Sequence, residues 1–195
     1  GVNKYFQIAP CFRDEDPRAD RLYGDFYQLD CEMAFVDDGE VVRKEIEPLM
    51  TSLVTDWAGK KLMFEEVPRI TYHEAMERFG VDKPDMRYGM ELIDLTEALA
   101  GTEFKVFQSE CVKAICVKNG ASLSRSQIDN FTDEARKLGA GGLAYIIYEN
   151  GEERSPIAKF LSADELAKIR ELTGAEDGDA VFFGADSRTL VNKVL

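Results

Sequence analysis

Polar residues interrupt two aromatic and aliphatic runs in a roughly alternating way, KYFQIAPCF at residues 4–12 and DFYQLDCEMAFV at residues 25–36. That texture predicts two half-buried strands. Between them RDEDPRADRLYG is charged and closes with Gly24. Two strands joined by such a loop make an antiparallel arm, and connections longer than about 12 residues usually exist for function. After the arm the apolar period changes. Asp37, Asp38 and Gly39 can open a helix in which Val42, Ile46, Leu49, Met50, Leu53, Val54 and Trp57 recur at helical spacing until Gly59. Pro48 inside that pattern predicts a kink or a late start. Thr71 followed by Glu74 reads as the capping box of a short helix ending near Gly80. The stretch VDKPDMRYGMELIDL reads as ordered connector.

From Glu103 onward the chain changes to short strands and well-marked helices. EFKVFQ, VKAICVKN, GLAYIIYE and DAVFFGA are predicted strands, and SRSQIDNFTDEARKLG and SADELAKIRELTG are predicted helices. The second helix has a capping box in Ser162 and Glu165 and a stop in Gly174. Strands on one face and two helices on the other describe a small α+β sandwich. The expected class is α+β, with one domain over residues 1–92 and another over residues 93–195.

With 24 basic and 37 acidic residues among 195, the formal charge is −13. Proteins that grip nucleic acid by general electrostatics neutralise phosphates with clustered Lys and Arg, so any RNA contact here must be local. Both parts are acidic when the chain is divided at Leu92. Cys11, Cys31, Cys111 and Cys116 form no CxxC pair and His73 is the only histidine, which lacks zinc-ligand spacing and favours reduced thiols. No apolar run reaches the roughly 18 residues of a membrane span, and no signal-peptide pattern is present, so a cytosolic protein with no membrane partner is expected.

Candidate chemistry concentrates in the loop of the arm. In Phe12-Arg13-Asp14-Glu15 a guanidinium leaves a strand end, with a carboxylate two residues on along the same face. Such an arginine can hold a phosphate by paired hydrogen bonds while the carboxylate accepts from an amino group such as that of adenine. Phe26 begins the return strand and can lie opposite Arg13, offering a flat apolar face on which a base stacks. Arg18 and Arg21 can reach an RNA backbone, with Asp16 and Asp20 limiting nonspecific attraction. Taken singly, these residues read as solvated loop charge and a core phenylalanine.

The serial arrangement is more specific. YFQIAPCFRDEDPRADRLYGDFYQLDCEMAFV resembles motif 2 of bacterial aspartyl-tRNA synthetases, class II enzymes in which this motif is an antiparallel arm of the catalytic sheet. DKPDMRYGMELIDLT resembles the signature ahead of a domain inserted in the bacterial-type enzymes. GASLSRSQID, GLAYI, SPIAKFL and DAVFFGAD resemble that insert, the GAD domain. The resemblance covers nearly the whole chain in the family's order. It implies a ligase that joins aspartate to ATP as aspartyl-adenylate and transfers the aspartyl group to the 3′ end of tRNA(Asp), with magnesium on the ATP.

By the same resemblance Arg13 is the catalytic residue, contacting the α-phosphate and the aspartate side. Arg13, Asp14, Glu15 and Phe26 bind ATP, with Glu15 at the adenine end and Phe26 on the adenine face. Asp16 and Arg18 face the tRNA acceptor end. Leu22 departs from the family, standing where a glutamine contacts ATP. Motif 1, which forms the family's dimer interface, the glycine-rich motif 3 and the anticodon domain have no counterpart. The expectation is therefore a parent that is a homodimer and a 195-residue piece that is inactive alone. The alternative is a noncatalytic scaffold or tRNA-proximal module, as the GAD domain is in subunits of tRNA-dependent amidotransferases. No paired carboxylates or nucleophile with a base are found beyond Ile93. Lys159 and Arg125 are possible tRNA-facing cations that read equally as surface charge, and the glycines at 139, 141 and 142 fit a helix stop and turn.

Overall fold

A computed structural model describes residues 1–14 and 24–195. The chain forms two compact units, Gly1–Pro68 and Arg69–Leu195.

In the first unit, strands β1 (Lys4–Phe12) and β2 (Asp25–Met33) pair antiparallel in continuous register, with Phe6 opposite Cys31, Ile8 opposite Leu29, and Cys11 opposite Phe26. Helix α1 (Gly39–Ser52) starts where Asp38 accepts the N–H groups of Glu40 and Val41, the donors a helix start leaves unpaired. It runs through Pro48 and continues as a π-helical turn over Leu53–Trp57, so the proline does not end it. Lys4 pairs with Glu45 at 2.6 Å and joins the arm to this helix. No described residue of this unit is buried. Phe6, Ile8, Phe12, Tyr27, Leu29 and Trp57 are all exposed.

The second unit is a five-stranded sheet in the order β3 (Ile93–Asp94), β4 (Cys111–Val117), β7 (Ala180–Asp186), β5 (Ala144–Glu149), β6 (Glu152–Arg154), with every pairing antiparallel. Helix α2 (Tyr72–Phe79) precedes the sheet; Thr71 accepts the N–H of Glu74 at its start and Gly80 stops it in the left-handed conformation. Glu74 itself pairs with Arg78 rather than completing a capping box. Helices α3 (Arg125–Lys137) and α4 (Ala163–Thr173) each carry a complete capping box, Ser124 with Gln127 and Ser162 with Glu165.

The class is α+β as expected, but the helices are not on one side. Val112, Ala114, Ile146, Tyr148, Val181 and Phe183 face a core that includes Ile169 of α4. The alternate residues Ile147, Ala180 and Phe182 face a second core that includes Ile128 of α3. Successive strand side chains point to opposite faces, so a sheet with helices on both sides is apolar at nearly every central position. EFKVFQ is not a strand; Lys105–Gln108 forms a 3₁₀ turn that sends Phe107 into the core and leaves Phe104 at its edge. Strands β3 and β6, the latter closing a hairpin with β5, and helix α5 (Arg188–Val194) go beyond the expectation.

Residues 69–92, grouped by sequence with the arm, pack in the structure with the sheet. Lys113 on β4 is fully buried and donates to the Glu77 backbone carbonyl and the Asn192 side-chain carbonyl, both at 2.9 Å, and pairs with the Glu77 carboxylate at 3.0 Å. Asn192 donates back to the Met76 carbonyl at 3.0 Å, and Arg188 reaches both Glu77 and Asp94. One lysine thus ties α2, β4 and α5 together.

Candidate functional site

Direct cross-strand partners share a face of a two-stranded sheet, and the register divides the arm into two unlike surfaces. One face carries Phe6, Ile8, Pro10 and Phe12 with Leu29, Tyr27 and Cys31. The other carries Tyr5, Gln7, Ala9 and Cys11 with Glu32, Asp30, Gln28 and Phe26. Polar pairs bridge the strands only on this second face. Tyr5 donates to Glu32 at 2.6 Å and Gln7 to Asp30 at 2.9 Å, while the Cys11 thiol points to Gln28 at 3.1 Å. The Glu32 carboxylate that accepts this hydrogen bond favours the protonated phenol and raises the Tyr5 pKa above the ordinary tyrosine value.

Arg13 lies at the loop end of the polar face, its guanidinium 5.3 Å from the Phe26 ring centroid. The two residues expected to act together are therefore brought together across the arm, as the pairing of Cys11 with Phe26 dictates. A cation beside an aromatic face is attracted by the ring quadrupole, which orients the guanidinium without using its hydrogen-bond donors. The pair sets a flat apolar ring beside a guanidinium, a shape that suits a base linked to a phosphate. Asp14 follows, exposed, on the same strand end. Glu15, Asp16, Arg18, Arg21 and Leu22 lie outside the described residues. The sequence pattern did not reveal the file of polar pairs behind Arg13; the alternation of Tyr5, Gln7, Ala9 and Cys11 against the return strand was its available signal.

Among the described residues no three His, Cys, Asp or Glu side chains converge as metal ligands, and the four cysteines are unpaired. No described helix is long and apolar enough to cross a membrane. Arg125 pairs loosely with Asp129 at 3.9 Å on α3. In the second unit an open cavity of about 450 Å³ is lined mainly by apolar residues, among them Phe104, Phe107 and Leu190, with Arg136 and Asp186 as polar members. The backbone turns at Gly139 with a positive φ of 109°, consistent with a helix stop, and Gly141 and Gly142 line that cavity.

Residues 104–195 match the GAD domain family. Over nearly its full length the chain is also similar to aspartate–tRNA ligases. It is 47% identical over 194 residues to an aspartate–tRNA(Asp/Asn) ligase of Anaplasma marginale, covering 96% of this chain and 33% of the relative. An aspartate–tRNA(Asp/Asn) ligase of Bifidobacterium longum is 48% identical over 192 residues, covering 96% of this chain and 31% of the relative. An aspartate–tRNA ligase of Streptomyces avermitilis is 44% identical over 196 residues, covering 100% of this chain and 33% of the relative. Nearly the whole chain is thus similar to one stretch of aspartate–tRNA ligases, and its second part matches the GAD domain family. It spans about a third of the length of the curated relatives it matches.

Proposed function

We propose that this chain is the part of an aspartate–tRNA ligase that binds one side of ATP and carries the inserted GAD domain, the insert beginning near residue 93. The observation that supports this most is the placement of Arg13 beside Phe26 on the polar face of the arm. In this reading Phe26 stacks on adenine, Glu15 accepts from its amino group, and Asp14 belongs to the same ATP-contacting stretch. Arg13 draws charge from the α-phosphate and positions the aspartate carboxylate. A carboxylate oxygen of aspartate attacks the α-phosphorus, the bond to pyrophosphate breaks, and aspartyl-adenylate forms. A hydroxyl of the terminal adenosine of tRNA then attacks the aspartyl carbonyl and AMP leaves. Both steps gather negative charge on oxygen, so the work is electrostatic and needs a fixed cation more than a base. Magnesium bound to the ATP phosphates would supply further positive charge there. Asp16 and Arg18 meet the tRNA acceptor end. The parent is a cytoplasmic homodimer acting on aspartate, ATP and tRNA(Asp).

The test is to replace the equivalent third of a full-length aspartate–tRNA ligase by this chain and to measure aspartate-dependent exchange of pyrophosphate into ATP. The graft is expected to support exchange, and Arg13→Ala to reduce it at least a hundredfold, the scale on which removing a transition-state donor acts. Exchange that survives Arg13→Ala unchanged would sink the assignment. The isolated 195-residue chain is expected to show no exchange.

A further inference from the structure

An aromatic series runs from the core of the second unit to its surface. Phe183 on β7 is buried against Phe107, ring centroids 5.3 Å apart; Phe107 meets Phe104 edge-on at 4.9 Å; and Phe104 stacks on Phe160 at 5.4 Å with an interplanar angle of only 5°. Phe160 ends the series with 52% of its surface exposed. Two short 3₁₀ turns present this pair, Lys105–Gln108 directly after Phe104 and Ala158–Phe160. The Lys159 ammonium sits 4.9 Å from the Phe160 centroid. Like most of the described lysines, Lys105 and Lys159 make no ion pair among the described residues, so their charge is open to a ligand. Phe104 also forms a wall of the open cavity, so the stack borders a recess.

We propose that Phe160, backed by Phe104 and flanked by Lys159, is a stacking site for an unpaired nucleobase of single-stranded RNA. An exposed ring already stacked on one face is held in a fixed plane, so a base can dock on it with little further loss of side-chain freedom. Stacking on aromatic side chains next to flexible cations is how proteins hold unpaired bases without reading their edges. The cation–π contact of Lys159 is weak at an exposed position. The lysine leaves the ring as the base arrives and moves its charge to the adjoining phosphate. An apolar peptide would use the ring but not the two lysines without carboxylate partners, and this charge favours a polyanion. The inference rests on the ligase reading for its RNA partner and gives that partner a second, local contact on the GAD domain.

The probe is a short fluorescently labelled single-stranded oligoribonucleotide, titrated with the 195-residue chain at low salt and followed by anisotropy. Phe160→Leu is expected to weaken binding roughly tenfold, within the span found for loss of one stacked base. Lys159→Gln is expected to lower the slope of log affinity against log salt by about 0.7, one single-strand phosphate contact. An oligomer made abasic at its central positions should bind the wild-type chain as weakly as the intact oligomer binds Phe160→Leu. Equal affinity of Phe160→Leu and wild type, equal affinity of intact and abasic RNA, or no binding by the wild type would each overturn the proposal, the last leaving the stack to a protein partner. Both substitutions fall at surface positions, and thermal midpoints of the variants check that they fold. No ATP or aspartate is present, so failure here and failure of pyrophosphate exchange are separately visible.

Discussion

Asp179 offers a quantitative test of how the GAD unit is held. The residue lies just before β7, is 5% exposed, and accepts hydrogen bonds from Lys118 Nζ at 2.8 Å, from the Glu176 N–H at 2.9 Å and from the Asn119 N–H at 3.0 Å, with a longer one from the Cys116 thiol at 3.9 Å. It therefore fastens the turn after β4 to the turn before β7. Asp179→Ala leaves two backbone donors without their acceptor. An abandoned buried polar group costs about 1–3 kcal/mol, and the exposed Lys118 end adds less than about 1 kcal/mol. A loss of about 3 kcal/mol follows, or roughly 10 °C in Tm for a unit of this size. Burial pushes the carboxyl pKa up, but the hydrogen bonds from Lys118, Glu176 and Asn119 outweigh it and hold the group below the ordinary aspartate value. Because the folded value is depressed, the associated stability is present above the unfolded value near ~3.9 and is lost as pH falls through the folded one. Urea unfolding of wild type and Asp179→Ala at a series of pH values measures this. The gap should be full at pH 7 and shrink below about pH 4. A gap under ~0.5 kcal/mol at pH 7, or one that grows on acidification, refutes the reasoning.

Two further substitutions probe the same unit. Gly80 has φ +70°, and an added Cβ would lie 2.4 Å from the Asn192 backbone oxygen. Gly80→Ala should cost at least about 2 kcal/mol, combining left-handed strain with displacement of α5; raised hydrogen exchange confined to α2 and α5 would accompany it. Ser162→Ala removes the cap of α4 and should cost about 1 kcal/mol by denaturant unfolding, with no change in the denaturant slope.

Local signals carried most of the fold into view. The caps at Thr71 and Ser162 and the stops at Gly80 and Gly174 fall where the side chains require them. What the sequence hid was tertiary. The apolar runs AYIIYE and AVFFGAD have few polar interruptions, and that is the mark of a sheet covered on both faces, so the second helical layer has a local signal in these strands. EFKVFQ looked like a strand because aromatic and aliphatic residues dominate it, yet Phe104 and Phe107 are three apart, which suits a 3₁₀ turn better than a period of two. Asn150-Gly151, both at positive φ, marks the β5–β6 hairpin, a signal passed over inside a polar stretch. At the candidate site, the pairing of Arg13 with Phe26 was legible because the strand register follows from the two alternating runs. The bonds among Tyr5, Glu32, Gln7 and Asp30 depend on that register to the residue, and a one-residue slip would have turned them to the other face.

The Lys113 knot has a consequence for how the second unit can open. The same buried ammonium holds α2, which leads into the sheet, and α5, which leads out of it. The first and last helices of the unit are clasped side by side instead of hanging from opposite poles. Lys113 thus acts as a clasp: with it closed, the helix before β3 and the helix after β7 can part from the sheet only together.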